Sequence, residues 1–559
     1  MTIYYAITLG PLIKTLGKAR KTRELWAASY LFSYLMKSLI IAFKEKKADF
    51  LVPYVDLVTW RGQEHDILKS PNGAGIFADR CVFSIPSENR EFDWEKVVKL
   101  INQVKTSLFK SSYRFLLDQN PKLFKESPKK ACKDMKEFFL DYFQVYAVSI
   151  NVDESPEAKK LQKKEIVASL FAKLDVLELH TQIFPEEKMD WLEILLGSVS
   201  LMHRNVNSFL VKDALGNDRF AKNRFESLVE ISSRDLIEQL EEEPSNAFRT
   251  LIESDDASVS LPDSSEEISD PLIYLERSFP REFKTYHKYI AIVQADGDGI
   301  GNCIKALDDQ MYGVFSKALL SFSLQAADKV REYGGVPAFV GGDDILFFAP
   351  LRYGKKDLFS LIDSLDELFS KELSGLPLTE FPTLSYGVSV GYHKFPMYEN
   401  LEITRGQLFG KAKHFEFRNG MKNAVAIQIQ KHSGQTFSAI FRKEARLDAE
   451  SQGIDSYSVF KKLVRLNIEE NSFLNSVIYH LGRDWPLLEE VGMDDTSLEH
   501  LLNKNFNESF HQKQEIQVFI EGFRALIQGV FQDYQEGDRK ENLYGAIRLV
   551  KFLNRDDND

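Results

Sequence analysis

The stretches YIAIVQADGDGIGNC at 289–303 and VPAFVGGDDILFF at 336–348 decide the predicted fold. In the first, an apolar run ends at Asp296 and Asp298, which alternate with glycines ahead of a helical pattern. In the second, a Gly-Gly-Asp-Asp tetrapeptide separates two apolar runs, which predicts two strands joined by a tight hairpin. With these strands in one sheet, four carboxylates meet at one of its edges.

Glycines and aspartates in this pattern suit a site for phosphate and metal ions. Gly297, Gly299 and Gly301 let the backbone approach a ligand closely, and a helix N-terminus offers unpaired N–H groups to phosphate. Hard divalent cations prefer carboxylate oxygens, and like charges clustered without a cation are costly. Two such ions about 4 Å apart can promote nucleotidyl transfer. The simpler interpretation is structural, because Gly-Asp and Asp-Gly are common hairpin residues, but two motifs at matching strand ends favour the site.

Outward from these motifs, the chain shows two copies of one layered α+β unit of ferredoxin-like order. The first copy is predicted from strands at 3–8, 49–53, 76–85 and 144–152 and helices at 11–46, 93–117 and 128–142. The second is predicted from strands at 289–295, 336–340, 345–348, 383–392 and 424–430 and helices at 303–333, 355–373 and 400–417. The remaining regions are a helical pattern at 155–245, an acidic, serine-rich stretch at 253–270 that predicts a linker, and a helical pattern from 438 onward.

These patterns predict four parts. They are a first palm-like domain at 1–152, a helical insertion with the acidic linker at 153–282, a second domain with the GGDD motif at 283–432, and a helical domain at 433–559.

Composition limits the classes of function. The 559 residues carry a formal charge of −12, which argues against nonspecific binding of nucleic acid over the whole surface. Three separate cysteines offer neither a disulfide framework nor a zinc ribbon, so we predict no zinc and a reducing cytoplasm. The start of the chain lacks a signal-peptide pattern. The apolar run at 26–43 contains Lys37 and several serines, which favours a buried helix over a membrane span.

Asp296-Gly297-Asp298 followed by Gly341-Gly342-Asp343-Asp344 resembles the palm domain of the large subunit of type III CRISPR effector complexes, a relative of the GGDEF nucleotide cyclases. The run LGPLIKTLGKARKTRELWAASYLFSYL at 9–35 is similar to the first palm of the type III-B (Cmr) branch. The run KAKHFEFRNGMKNAVAIQIQKHSGQ at 411–435 is similar to the closing helix and strand of the second palm. The resemblance covers most of the chain, although only the two palm motifs are specific.

The resemblance implies two facing ferredoxin-like palms and an enzyme that converts ATP to a signalling nucleotide when its complex binds target RNA. It implies that Asp296, Asp343 and Asp344 are catalytic and hold Mg²⁺ or Mn²⁺, with Asp298 a further candidate ligand. It also implies that the glycines already named, together with Gly341, Gly342 and Lys411, bind the nucleotide. A solvated helix charge is the alternative interpretation of Lys411. The first palm has no acidic pair at its strand end, where residues 8–11 read Thr-Leu-Gly-Pro, and is predicted to be non-catalytic.

Two features of the family pattern are not matched by this sequence. The chain begins at the first palm strand, and its one His-Asp dipeptide, at 65–66, lacks the other ligands of an HD nuclease and is predicted to be a loop. The cysteine cluster that many members carry between the palms is also missing.

Four interpretations of function stay open at this point. The first is synthesis of cyclic oligoadenylate from ATP, and the second is transfer of AMP from ATP to S-adenosylmethionine. The third is a silent scaffold that binds guide RNA and other Cmr-type subunits, and the fourth is a free-standing cyclase homodimer. The partners expected from the resemblance are those subunits, guide RNA and target RNA, with no membrane.

Overall fold

The computed structural model describes most of the chain. The described residues are 2–85, 93–152, 163–179, 190–199, 208–216, 225–253, 258–260, 267–378, 380–418, 420–443, 455–466, 468, 471–506 and 513–554.

The first layered unit follows the predicted order of elements. Its elements are β1 (Thr2–Gly10), α1 (Leu12–Leu16), α2 (Thr22–Lys44), β2 (Asp49–Val52), β3 (Leu57–Trp60), β4 (Gln63–Asp66), β5 (Arg80–Ile85), α3 (Trp94–Gln119), α4 (Pro128–Tyr142) and β6 (Gln144–Val152). The main sheet has the order β2-β5-β1-β6, with β1 antiparallel to both neighbours. Helix α2 forms the centre of the first core, because Leu31, Leu35 and Leu39 are fully buried along it.

Helix α2 is also long and apolar enough to cross a membrane. In the structure 78% of its apolar window is buried inside the protein, which confirms the predicted buried helix. The predicted single helix at 11–46 is instead two helices, because residues 17–21 form turns between α1 and α2.

The loop predicted around the His-Asp dipeptide is wrong. His65 and Asp66 belong to β4, which pairs with β3 in a two-stranded hairpin. Arg61 and Gly62 form its turn, both with positive φ. The hairpin contacts the second unit, where Asp328 accepts hydrogen bonds from Trp60 Nε1 (2.9 Å) and from the Arg61 guanidinium (2.8 and 2.6 Å).

The connection between the two units is helical, as predicted. Its elements are α5 (Lys163–Glu178), α6 (Trp191–Val199), α7 (Phe209–Leu215), α8 (Leu228–Ser232), α9 (Arg234–Ile237), α10 (Glu242–Glu253), β7 (Val259–Ser260), β8 (Glu267–Ile268) and α11 (Pro271–Ser278). The predicted linker at 253–270 is partly ordered, since β7 pairs with β8 and Asp270 caps α11. The rest of that prediction, at 254–257 and 261–266, lies outside the described residues.

The second unit repeats the strand order of the first. Its elements are β9 (Tyr289–Asp298), α12 (Ile300–Ala306), α13 (Asp309–Glu332), β10 (Val336–Gly341), β11 (Asp344–Ala349), β12 (Arg352–Tyr353), β13 (Lys356–Asp357), α14 (Leu358–Leu373), β14 (Thr383–Tyr392), α15 (Met397–Arg405), a π-helix (Gly406–Ala412), β15 (Ala424–Gln430) and β16 (Thr436–Arg442). The sheet order is β10-β11-β9-β14-β15-β16. The first four strands of each unit therefore share one arrangement: second, third, first, fourth.

Two details of this unit differ from prediction. The helix predicted at 303–333 is divided at Leu307, because Asp308 caps a new helix through the N–H groups of Gln310 and Met311. The helical domain predicted from 433 does not begin there, because β16 extends the sheet beside β15. Helices follow from residue 456: α16 (Ser456–Arg465), α17 (Asn471–Arg483), α18 (Trp485–Val491), α19 (Asp495–Asn505), α20 (Gln514–Asp533) and α21 (Glu536–Asn554).

The two units are in direct contact. The Val340 N–H of β10 donates to the Gly75 carbonyl at 2.8 Å, and Gly75 forms a parallel bridge with Phe339. The carboxyl-terminal helices pack on the second sheet, where a Cβ atom at Gly545 would lie within 1.8 Å of the Ser438 carbonyl. The second sheet is therefore covered on one side by the C-terminal helices and faces the first palm near β10 and β11.

Candidate active site

The two acidic motifs meet at one end of the second sheet. Ile345 pairs with Ala295 and Gly341 pairs with Asp344, so the Gly-Gly-Asp-Asp stretch is a hairpin turn beside the end of β9. Gly342 has a φ of 71°, a conformation that favours glycine. The turn is fixed to α13 by Ser323, whose buried Oγ accepts from the Gly342 N–H at 2.8 Å.

Asp343 and Asp344 both lie against the DGD strand end. The Gly297 N–H donates to the Asp343 carboxylate, and a Cβ atom at Gly297 would lie 2.4 Å from Asp343 Oδ2. The carboxyl groups of Asp344 and Asp296 are close enough to share a hydrogen bond. Gly297 is therefore the position where close approach requires glycine, and three aspartates converge there.

The buried position beside Asp296 raises the pKa values of both aspartates of the turn. Burial, reinforced by the charge of Asp296, raises the pKa of Asp343 from 3.8 to about 6. Burial, reinforced by Asp343 and then Asp296, raises the pKa of Asp344 well above its usual range. The site thus holds more negative charge than its surroundings compensate.

Asp298 has different surroundings from the other three aspartates. It is 5% exposed, and its Oδ2 accepts from Ser385 Oγ (2.7 Å), Thr383 Oγ1 (3.1 Å) and the Asn423 N–H (3.0 Å). Its Oδ1 lies 2.8 Å from Lys413 Nζ. The structure therefore places Asp298 in a pocket of protein donors, and its predicted role as a metal ligand remains a prediction.

The lysine beside the aspartates is Lys413 and not Lys411. Lys413 Nζ donates to the Gly297 carbonyl at 2.6 Å and pairs with both Asp296 and Asp298. Although burial lowers the pKa of Lys413, its pairing with these carboxylates outweighs that effect and raises it. Lys411 Nζ instead lies 3.3 Å from Ser438 Oγ on β16, which β14 and β15 separate from β9.

The residues fit a hard divalent cation chemically. The donors that converge here are carboxylate oxygens, and burial together with the neighbouring carboxylates raises the pKa values of Asp343 and Asp344. A bound cation would compensate these buried charges. Within the described part of the chain, no three or more His, Cys, Asp or Glu side chains form a ready-made metal site. Lys413 pairs with Asp296, a carboxylate that a cation would use.

A cavity of about 700 Å³ opens between the two palms in front of Asp296 and Asp344. The wall from the second unit includes Gln294, Arg405 and Phe409. The opposite wall contains residues 8–14 of the first unit and a set of polar side chains, namely Asp79, Gln144 and Tyr146 of the first unit and Glu178 of α5. The cavity is large enough for a small ligand and is bounded by both palms.

Asp79 brings a further acidic group to this cavity. The prediction that the first palm has no acidic pair at residues 8–11 holds in sequence, but Asp79 lies beside that strand end, where its carbonyl accepts from the Leu9 N–H at 2.9 Å. The Asp79 carboxylate is near enough to raise the pKa of Asp344. Burial, together with the charge of Glu178, raises the pKa of Asp79 itself.

Two family matches cover the two palms. Residues 289–426 match the family described as "Cas10/Cmr2, second palm domain", and residues 4–114 match "CRISPR-associated protein Cmr2, N-terminal". The chain carries two domains of the Cas10/Cmr2 family. The resemblance drawn from the DGD and GGDD motifs is thereby confirmed.

A curated relative and two solved structures agree with the Cas10/Cmr2 assignment. The Cmr system subunit Cmr2 of Pyrococcus furiosus is 22% identical over 319 residues, which cover 52% of this chain and 34% of that protein. The chain thus spans about a third of that relative. The apo type III-B Cmr-beta structure has a TM-score of 0.57 at 12% identity and covers 93% of this chain and 77% of its own. Cmr-beta bound to cognate target RNA has a TM-score of 0.60 at 12% identity, covering 99% and 83%. At this identity the structures show a shared fold.

Three site residues of this Cas10/Cmr2 chain were missed in sequence. Lys413 was missed because a π-helix changes which lysine faces the aspartates. Asp79 and Glu178 were missed because they lie more than a hundred residues from β9 and reach the cavity only through the packing of the two palms. The acidic and glycine motifs themselves carried the signal for the rest.

Residues at the start of the first helical region have structural contacts. Lys18 pairs with Asp190 and Arg20 with Glu193. Trp26 is buried, stacks on Tyr30 and donates to the Gly73 carbonyl at 3.1 Å. These contacts tie the first palm to the helical insertion.

Proposed function

We propose that this chain is the nucleotidyltransferase subunit of a type III-B CRISPR effector complex and transfers AMP from ATP to a ribose hydroxyl. The observation that carries the proposal is the convergence of Asp296, Asp343 and Asp344 beside a cavity between the two palms, which Asp296 and Asp344 line. Carboxylates gathered with raised pKa values in a ligand-sized cavity are typical of metal-assisted phosphoryl chemistry. A scaffold would have no need of them.

The chemistry is an in-line displacement. A ribose 3′-hydroxyl oxygen of the acceptor forms a bond to the α-phosphorus and loses its proton to solvent. The bond from that phosphorus to the bridging oxygen breaks, and pyrophosphate leaves with the electron pair. Magnesium or manganese, when bound by Asp296, Asp343 and Asp344, supplies charge neutralisation to this reaction. The two glycines of the turn keep the hairpin narrow, and Gly297 lets Asp343 lie against the strand end.

The acceptor is the point on which the candidate reactions differ. Synthesis of cyclic oligoadenylate requires a second ATP in the cavity, whereas AMP transfer to S-adenosylmethionine requires a ligand that carries a sulfonium and an ammonium. Both ligands present a ribose 3′-hydroxyl. The charge of the first-palm wall therefore bears on the choice between them.

Asp79 of the first palm and Glu178 of α5 make part of this wall acidic, beside Lys14, and favour the cationic acceptor. Glu178 is held in place by Thr8 Oγ1 at 2.6 Å and by Arg80 at 2.8 Å, and Asp79 lies beside it with a raised pKa. A second triphosphate would bring several negative charges to carboxylates that already repel each other, whereas a sulfonium or ammonium would be attracted. We therefore favour S-adenosylmethionine over a second ATP as the acceptor, with cyclic oligoadenylate as the alternative.

The partners and location are part of the same proposal. We expect other Cmr-type subunits, guide RNA and target RNA to assemble with the chain in the cytoplasm. The fold shared with Cmr-beta, including the structure bound to cognate target RNA, supports this expectation.

The test is product formation by the assembled complex. It is incubated with target RNA, labelled ATP and Mg²⁺, with and without S-adenosylmethionine, and the products are identified by mass. We expect a conjugate of AMP and S-adenosylmethionine, and a cyclic oligoadenylate would instead support the alternative acceptor. The absence of any nucleotide product would favour the silent scaffold.

A further inference from the structure

Lys413 occupies the position of a cation within the acidic site. Its side chain is 8% exposed, and its Nζ contacts the Gly297 carbonyl, Asp298 and Asp296. These three acceptors come from the last three residues of β9. One ammonium group therefore holds together the strand end on which the proposed metal ligands converge.

The two carboxylates that Lys413 contacts are not equivalent. Asp298 is fixed by three further donors from Thr383, Ser385 and Asn423, and it is buried. Asp296 lines the cavity and is 25% exposed in its side chain. An incoming cation can therefore reach Asp296, while Asp298 keeps its protein partners.

A local irregularity of the backbone places Lys413 there. Residues Gly406–Ala412 form a π-helix, and the Lys413 N–H donates to the Leu408 carbonyl five residues earlier at 3.0 Å. The wider turn changes the direction of the side chains that follow it. It is made possible by Gly387 on β14, where a Cβ atom would lie 2.4 Å from both Leu408 N and the Thr404 carbonyl.

We propose that Lys413 is a positioning residue that acts as an internal counter-ion, holding Asp296 until a divalent cation replaces it there. The proposal rests on the proposed function, because it concerns the same metal site. A fixed ammonium beside a metal ligand repels a dication and competes for its carboxylate. Lys413 therefore keeps the strand end ordered without metal at the expense of metal affinity.

The experiment is a manganese titration of the full chain without ATP, read by the electron paramagnetic resonance signal of free Mn²⁺. The site is defined as the binding lost in the double variant Asp343→Asn, Asp344→Asn. We expect Lys413→Met to bind Mn²⁺ at this site at least about tenfold more tightly than the native chain, because a repelling charge is gone. Its melting temperature without metal should fall by about 2 °C or more, and Mn²⁺ should restore it.

Two matched variants control the experiment. Lys413→Arg keeps the positive charge and should keep Mn²⁺ affinity near the native value. Lys411→Met removes a lysine whose ammonium lies against Ser438 on β16 and should change neither reading. Lys413→Gln is measured in the same way as a second neutral variant, should Lys413→Met not fold.

The possible outcomes separate the two proposals. Unchanged or weaker Mn²⁺ affinity in the neutral variants, with clear binding by the native chain, would overturn the role of Lys413 alone. No binding sensitive to the double substitution in the native chain would overturn the proposed metal site, and with it this inference.

Discussion

At the scale of single residues, Asp343 is the group through which pH should act on the site. Its pKa in the folded chain is about 6 against 3.8 ordinarily, so the folded state binds this proton more tightly than the unfolded state. Stability contributed by the protonated group is therefore lost as the pH rises from about 4 to above 6. The raised pKa of Asp344 acts in the same direction.

Asp343→Asn should remove the part of the pH dependence of stability that comes from the Asp343 carboxyl group. Measured in chelator, the melting temperature of the variant relative to the native chain should increase as the pH is raised from 4 to 7. The increase should be smaller with Mg²⁺ present, since a bound cation compensates the ionised carboxylate in the native chain. A melting-temperature difference that does not change with pH would contradict the assigned surroundings of Asp343.

Gly297 provides a test of packing at the same scale. In Gly297→Ala the new methyl group would overlap Asp343 Oδ2, at 2.4 Å, and displace the carboxylate from the strand end. We expect nucleotide synthesis to fall at least about tenfold, because small displacements of catalytic groups are costly. Gly313→Ala in α13 is the matched control, since nothing lies within 4 Å of its Cβ position and alanine favours a helix by about 0.5–1 kcal/mol. Equal activity of the two variants would contradict the proposed crowding.

At the scale of elements, apolar periodicity was enough to predict most of the two sheets. The strands Thr383–Tyr392 and Ala424–Gln430 agree with prediction to the residue, because apolar residues recur along each of them between turn residues. The β3–β4 hairpin was missed because its residues are mostly polar and exposed. Strand β16 was missed because its pairing with β15 is a tertiary contact that periodicity does not report.

The candidate site, too, could be predicted from the sequence only in part. Asp296 and Asp344 could be placed together because strand ends and a hairpin turn are local signals. Lys413 could not be placed there from the sequence, because the π-helix at Gly406–Ala412 brings Lys413 and not Lys411 to the aspartates. Asp79 could not either, since its approach to Asp344 depends on how two palms pack.

The β3–β4 hairpin should stabilise the contact between the palms. Asp328 on α13 accepts hydrogen bonds from Trp60 and Arg61, and Arg331 also donates to it at 3.1 Å. Asp328→Ala leaves these donors without their acceptor and should destabilise the chain by about 1–3 kcal/mol. The measurement is urea denaturation, with Asp56→Ala as the control because that carboxylate is 68% exposed. Equal urea midpoints for the two variants would contradict the stabilising role of the β3–β4 hairpin.

At the scale of the whole molecule, the acidic wall of the first palm should decide which acceptor is used. Asp79→Asn removes one charge from that wall without changing the shape of the side chain. We expect KM for S-adenosylmethionine to rise several-fold, while KM for ATP changes little because the triphosphate does not depend on Asp79 for binding. Equal changes in the KM values for S-adenosylmethionine and ATP would show that the wall does not select a cationic acceptor.

The most direct measurement of the central claim is product formation by complexes that carry the double variant Asp343→Asn, Asp344→Asn. With target RNA, labelled ATP, Mg²⁺ and S-adenosylmethionine present, we predict that the variant binds RNA normally and makes no nucleotide product, whereas a complex with Asp56→Asn makes as much as the native one. Undiminished product from the double variant would contradict the account.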